Sequence, residues 1–185
     1  KLLHGQIGRR QFVMSVLAAG VALPAALGFA DKANAAMPKS GGLFRMGIAH
    51  GSTTDTLDSA TSENHFTLIN GYTFGNHLTE VGSDGQLTGE LAESYESADA
   101  QKWVFNLRQG VEFHNGKTMT SEDVVASFNH HMGEDSTSAA KGLLTAVTSV
   151  EADGKNRVIF NLASPNADFP FIVSDYHISI RPAGD

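Results

Sequence analysis

The sequence predicts a mixed α and β protein with many short strands, and three segments carry that reading. Trp103, Phe105 and Leu107 alternate with Val104, Asn106 and Arg108, the period of two expected of a half-buried strand. Val158, Phe160 and Leu162 repeat the alternation, and Asp153-Gly154 separates them from Val147 and Val150, so this region reads as a β-hairpin. Between the two, TSED at 120–123 opens a helix. Thr120 is placed to accept from an early backbone N–H, and Asp123, three residues on, reaches back to the N–H of Thr120. Glu122 and Asp123 also lie at the positive end of the helix dipole. These two acids therefore read as helix-starting residues rather than a catalytic carboxylate pair. Val124, Val125, Phe128 and Met132 then form an apolar stripe.

The remaining elements follow in chain order. Two adjacent arginines, Arg9 and Arg10, precede Phe12, and an uncharged run extends from Gln11 to Ala30. Asp31-Lys32 and the small-residue sequence Ala33-Asn34-Ala35 come next, which is the order of a secretory leader with a signal-peptidase site. The arginine pair suggests the twin-arginine route. Residues 1–35 are thus expected to be a cleaved signal peptide and 36–185 the mature part; the competing reading is an uncleaved membrane anchor. Leu43 and Phe44 begin a plausible first strand towards Ala49, and a polar loop leads to Leu57-Asp58. Apolar residues between Phe66 and Leu78 have helical spacing, with Ser62 a candidate cap and Gly71 and Gly75 weakening the helix. Ser83 to Gln86 forms a turn, a new element starts at Leu91, and Asn115-Gly116 is a tight-turn signal. The chain opens on Lys1 and stops at Asp185 without a closing element, which predicts a fragment cut at both ends.

Composition excludes several functions. There is no cysteine, so no thiolate metal site, iron–sulfur cluster or disulfide is possible in these residues, nor the bacterial lipid-anchor signal. The chain has 13 basic and 20 acidic residues; removing the leader leaves nine and nineteen. A net charge so negative argues against nucleic acid, which requires basic patches.

Three histidines, His114, His130 and His131, raise the question of a metal or acid–base site. Adjacent histidines on a helix point about 100° apart, and the four-residue spacing of a helical zinc site is absent. His114 lies beside the Asn115-Gly116 turn, where its ring is expected to bond backbone groups. No Gly-x-Ser-x-Gly elbow or phosphate-cradling glycine loop is present. These residues read as scaffold.

The order of motifs resembles the extracellular solute-binding proteins of the peptide and nickel class (family 5), which serve bacterial ABC importers. LD at 57–58, LAESYE at 91–96, WVFNLRQGVEFHNG at 103–116 and TSEDVV at 120–125 are similar to that family's L-D-P, L-A-E-S-W-E, W-T-F-x-L-R with G-V-x-F-H-D-G, and T-A-E-D-V-V. The sequence departs from the pattern at Ser59, at Gly75 to Leu78, which replaces an aromatic-acid-glycine-leucine word, and at Tyr95.

The resemblance implies the α/β fold of a type II periplasmic binding protein: the opening strand of its first lobe plus most of an inserted mixed α+β subdomain, with the second lobe missing. It implies a periplasmic, monomeric binding component that takes a short peptide or a related small solute and passes it to an inner-membrane ABC permease, with no cofactor and no catalysis. It places residues 62–67 on the cleft side, so Glu63, Asn64 and His65, with Tyr72 beyond them, are expected ligand contacts. Tyr176 and His177 are expected near the cleft by the same analogy. The alternative is a secreted metal-dependent hydrolase using His114, His130 or His131.

Overall fold

The computed structural model describes residues 9–20, 22 and 41–184. Of the expected leader, Arg9–Ala18 forms a helix, α1, while the cleavage residues Ala33 and Ala35 lie outside the described residues. Among the described residues no helix is long and apolar enough to cross a membrane. The chain divides into two units, residues 1–47 and 48–185. The expected first strand is not formed: residues 42–50 are irregular, and Leu43 and Phe44 are 78% and 83% exposed. A strand needs a neighbour to take its backbone groups, and this one pairs with none among the described residues.

The second unit is built on an antiparallel four-stranded sheet made by β3 (Ala92–Glu96), β4 (Lys102–Leu107), β5 (Val147–Ala152) and β6 (Arg157–Leu162), in the order β3-β4-β6-β5. Both alternating segments become strands, and their apolar sets face inward. Trp103, Phe105 and Leu107 of β4, and Val158, Phe160 and Leu162 of β6, are all buried. The β5–β6 turn places Gly154 at φ 73°, and the turn at Asn115 places Gly116 at φ 82°, a conformation that glycine adopts without steric cost.

Helix α3, at Ser121–Met132 (α2 is introduced below), packs on this sheet. Its start is held as expected, since the Asp123 carboxylate accepts from the Thr120 N–H at 2.9 Å. That carboxylate also takes the Thr120 hydroxyl at 3.0 Å, so the hydroxyl proton is directed at Asp123. Ser121 donates to the Gly154 carbonyl at 2.5 Å, tying the helix to the β5–β6 turn. The buried stripe is Val124, Ser127, Phe128 and His131, at i, i+3, i+4 and i+7. Val125 and Met132, expected in the stripe, are half-buried, because the helix turns the 124–128–131 line towards β6. Phe128 and Phe160 meet edge-on at 4.7 Å. Phe105 meets Phe160 at 5.3 Å and Phe169 at 6.2 Å, so one aromatic cluster links sheet and helices. Each such side chain contributes about 2 kcal/mol by leaving water.

Ahead of the sheet lie a 3-10 turn at Ser59–Thr61, the helix α2 at His65–Phe74, and a two-stranded ribbon of β1 (Thr79–Val81) and β2 (Leu87–Gly89). The helix is shorter than the apolar spacing predicts and its cap is Asn64, not Ser62. The Asn64 side chain accepts from the Thr67 N–H at 3.1 Å. Ser62 is buried, with its carbonyl 3.0 Å from His177 Nε2. The helix ends at Gly75, before Leu78, which is fully buried. After β6 comes the short helix α4, Phe169–Ile172. The stretch that follows runs back past the early elements: Ile180 N–H donates to the Asn76 carbonyl at 2.9 Å, and the Ser59 hydroxyl donates to the His177 carbonyl at 2.7 Å.

Candidate functional site

Three segments wall an open hollow of about 530 Å³. The last turn of α2 supplies Tyr72, which is 56% exposed. The link into β1 supplies His77 and Thr79, and β1 itself supplies Glu80. Asp168, Asp175 and Tyr176 come from the start of α4 and the turn after it. Thr79 fastens the two sides by donating to the Pro170 carbonyl at 2.6 Å.

The two tyrosines are set by histidines behind them. Tyr72 meets His77 edge-on at 5.8 Å, and Tyr176 lies over His177 at 3.9 Å. His177 is pinned from both sides, with Nδ1 2.6 Å from the Asp175 carboxylate and Nε2 3.0 Å from the Ser62 carbonyl. His77 is held by Glu90, whose carboxylate accepts from the His77 N–H at 2.6 Å and from the Asn76 amide, and lies 3.4 Å from His77 Nδ1.

The electrostatics follow from this layout. Burial pushes the Glu90 carboxyl up, but the hydrogen bonds from His77 and Asn76 outweigh it and hold the group below its usual value. Both tyrosine hydroxyls are pushed above the usual phenol value, first by burial and then by the negative charge of Asp175. Glu80 and Glu90 add to the effect on Tyr72, and Glu63 to that on Tyr176. The hollow is therefore aromatic in its walls and negative in its field.

Residues 86–185 match the family described as bacterial extracellular solute-binding proteins, family 5, middle region. The chain belongs to this family. Among curated relatives, the "Probable D,D-dipeptide-binding periplasmic protein DdpA" of Escherichia coli K12 is 28% identical over 158 residues, covering 80% of this chain and 29% of DdpA. Among solved structures, AgaA from A. tumefaciens R10, in complex with agropinic acid, superposes with a TM-score of 0.66 at 30% identity. That match covers 69% of this chain and 26% of AgaA. The nickel ABC transporter structure from Bacillus halodurans gives 0.62 at 27% identity, covering 72% and 27%. The fold is thus that of the type II periplasmic binding proteins, of which this chain spans a part. It spans between 16% and 29% of the length of the curated relatives it matches.

Of the six ligand contacts expected for this family-5 chain, the structure brings Tyr72 and Tyr176 together across the hollow. Glu63 and His65 lie apart from it, exposed at the start of α2, where His65 stacks on His50 at 5.6 Å. Asn64 spends its side chain on the helix cap and on Asp55, to which its amide donates at 2.7 Å. His177 is buried, with both ring nitrogens facing acceptors. Sequence reasoning missed His77, Glu80, Asp168 and Asp175. The only signal was the departure at Gly75 to Leu78, which puts His77 where the family pattern has glycine.

The three histidines weighed for a hydrolase go to three different places. His114 Nε2 lies 3.2 Å from the Phe74 carbonyl, a backbone partner as expected. His130 is exposed and pairs with Asp58 at 3.0 Å, and Arg181 stands 3.9 Å from the same carboxylate. Burial raises the Asp58 carboxyl, but the Ala60 N–H, His130 and Arg181 bring it below its usual value. His131 is buried, with Nδ1 2.7 Å from the Ser138 hydroxyl. These contacts tie residues 57–61, α3 and the 177–181 stretch into one block. Among the described residues no three His, Asp or Glu groups are arranged to hold a metal ion.

Proposed function

We propose that this chain forms part of the ligand-binding wall of a monomeric solute-binding protein, which captures a short peptide or related small organic solute and delivers it to an ABC permease. The protein works in the periplasm after export through the twin-arginine leader at residues 1–35. Affinity comes from hydrogen bonds and ion pairs desolvated as the ligand is enclosed, and the permease is signalled by the shift in population towards the closed form. No covalent step is required, and the protein is not an enzyme.

One observation carries this reading: in a chain of the solute-binding family, two aromatic residues from distant segments, Tyr72 and Tyr176, converge on one hollow. Its volume falls within the ~300–1,000 Å³ range of small-ligand sites. The names of the relatives support solutes of this size, since one is called a dipeptide-binding protein and another is complexed with agropinic acid.

The test is native mass spectrometry of the complete mature gene product, purified gently from periplasm and compared before and after denaturation. Release of a small organic solute is expected. A protein that carries none, and binds none from a panel of di- and tripeptides, sinks the proposal.

A further inference from the structure

The polar groups around the hollow are almost all acceptors. Glu80, Asp168 and Asp175 contribute carboxylates, and no lysine or arginine lines it. The carboxylates of Glu80 and Asp168 take no hydrogen bond or ion pair from any described residue, so their charge is unspent. Thr79 and Ser174 direct their hydroxyl protons away, onto the carbonyls of Pro170 and Phe171 at 2.6 and 2.7 Å, which leaves their lone pairs available.

A second, independent feature lies in the same wall. His77 is only 4% exposed, and its Nε2 is the one buried side-chain nitrogen or oxygen among the described residues that has no hydrogen-bond partner. A buried polar atom left unpaired costs about 1–3 kcal/mol, so native structures supply it with one. The carboxylate of Glu90 lies 3.4 Å from Nδ1 and favours the tautomer with its proton on that nitrogen. Nε2 then carries a lone pair and seeks a donor. The aromatic faces of Tyr72 and Tyr176 complete the surroundings, since aromatic faces attract cations.

We propose that the hollow binds a cationic group that carries N–H donors, an ammonium on a small apolar body, with the carboxylates of Glu80, Asp168 and Asp175 supplying the charge and His77 Nε2 the directed acceptor. Anionic solutes are disfavoured there, because they would face three carboxylates without a counter-charge. This deepens the solute-binding reading and rests on it.

The test uses the complete mature protein and two probes, Phe-Ala-amide, which has a free ammonium, and N-acetyl-Phe-Ala-amide, which does not. Calorimetry is combined with identification of the solute released in native mass spectrometry. The expected results are a released solute bearing a cationic nitrogen and an affinity about tenfold higher for the free amine than for the acetylated probe. Glu80→Gln with Asp168→Asn, two exposed changes, should erase that difference while leaving the melting temperature within a degree or two. His77→Leu should weaken the amine about tenfold and spare the acetylated probe; if it unfolds the protein, the exposed double variant decides alone. A released solute without a cationic nitrogen, or amine binding indifferent to the double variant, overturns this inference and leaves the solute-binding reading standing. No released solute and no binding of either probe overturns both.

Discussion

Phe128 of α3 meets Phe160 of β6 edge-on at 4.7 Å, and both side chains are fully buried. Phe160 also contacts Phe105 and Phe169, so this pair joins the helix to the sheet and to α4. Phe128→Ala should lower stability by about 3–5 kcal/mol, through lost transfer energy and the cavity left behind. Phe128→Leu should cost less than half of that. Chemical denaturation, with an unchanged dependence on denaturant, is the check.

His131 gives the fold a pH dependence. Burial, followed by the neighbouring charge of His130, pushes its pKa down to about 4, whereas an unfolded histidine titrates near 6.5. The unfolded chain therefore binds a proton that the folded chain refuses. The stabilising contribution is complete above about pH 6.5 and falls by about 1.4 kcal/mol per unit as pH drops towards 4. His131→Leu removes the titrating group while Ser138 keeps its bond from the Ala140 N–H. The melting temperature of this variant should fall less between pH 7 and pH 4.5 than that of the wild type; equal slopes would refute the assignment.

Asp123 titrates in a lower window. Its carboxylate has no exposed surface and takes Thr120 N–H and hydroxyl, the Lys117 ammonium and the Ala183 N–H. Burial pushes its pKa up, but those donors more than offset this, and the net direction is down. With a folded value below the unfolded one, its contribution is fully present above about pH 4 and disappears only as pH falls further. Asp123→Ala should cost about 3 kcal/mol at pH 7. The difference from wild type should shrink below pH 4, as followed by circular dichroism.

Gly89 closes the corner between β2 and β3 so tightly that an added Cβ would lie 2.2 Å from the Ala92 carbonyl oxygen. Gly89→Ala should therefore cost about 2–3 kcal/mol, since backbone must shift. Gly85→Ala meets nothing within 4 Å but sits at φ 77°, so about 1 kcal/mol is expected. Comparing the two melting curves separates a steric cost from a conformational one.

The sequence by itself determined those elements whose signals are local. The alternation at 103–107 and 158–162, the turn glycines at 116 and 154, and the Thr120–Asp123 start of α3 were all legible, because side-chain period and turn chemistry act over a few residues. The motif order at 91–125 was legible for the same reason, and it identified the family. Short-range signals failed where a partner decides the outcome. Residues 43–49 have strand-like character but no ladder neighbour, and α2 took its cap from Asn64 because that side chain reaches both Thr67 and Asp55.

Only the tertiary structure decided the site. Tyr72 and Tyr176 become neighbours because the chain after α4 returns to lie beside α2 and β1, held by Thr79 on Pro170 and by Ile180 on Asn76. Whether a histidine binds, caps or packs depends on contacts made at long range: His177 is fixed by Ser62, His130 by Asp58, and His77 by Glu90 with one nitrogen unpaired. Hydrogen-bond partners and burial belong to the packed chain, and no pattern of spacing encodes them.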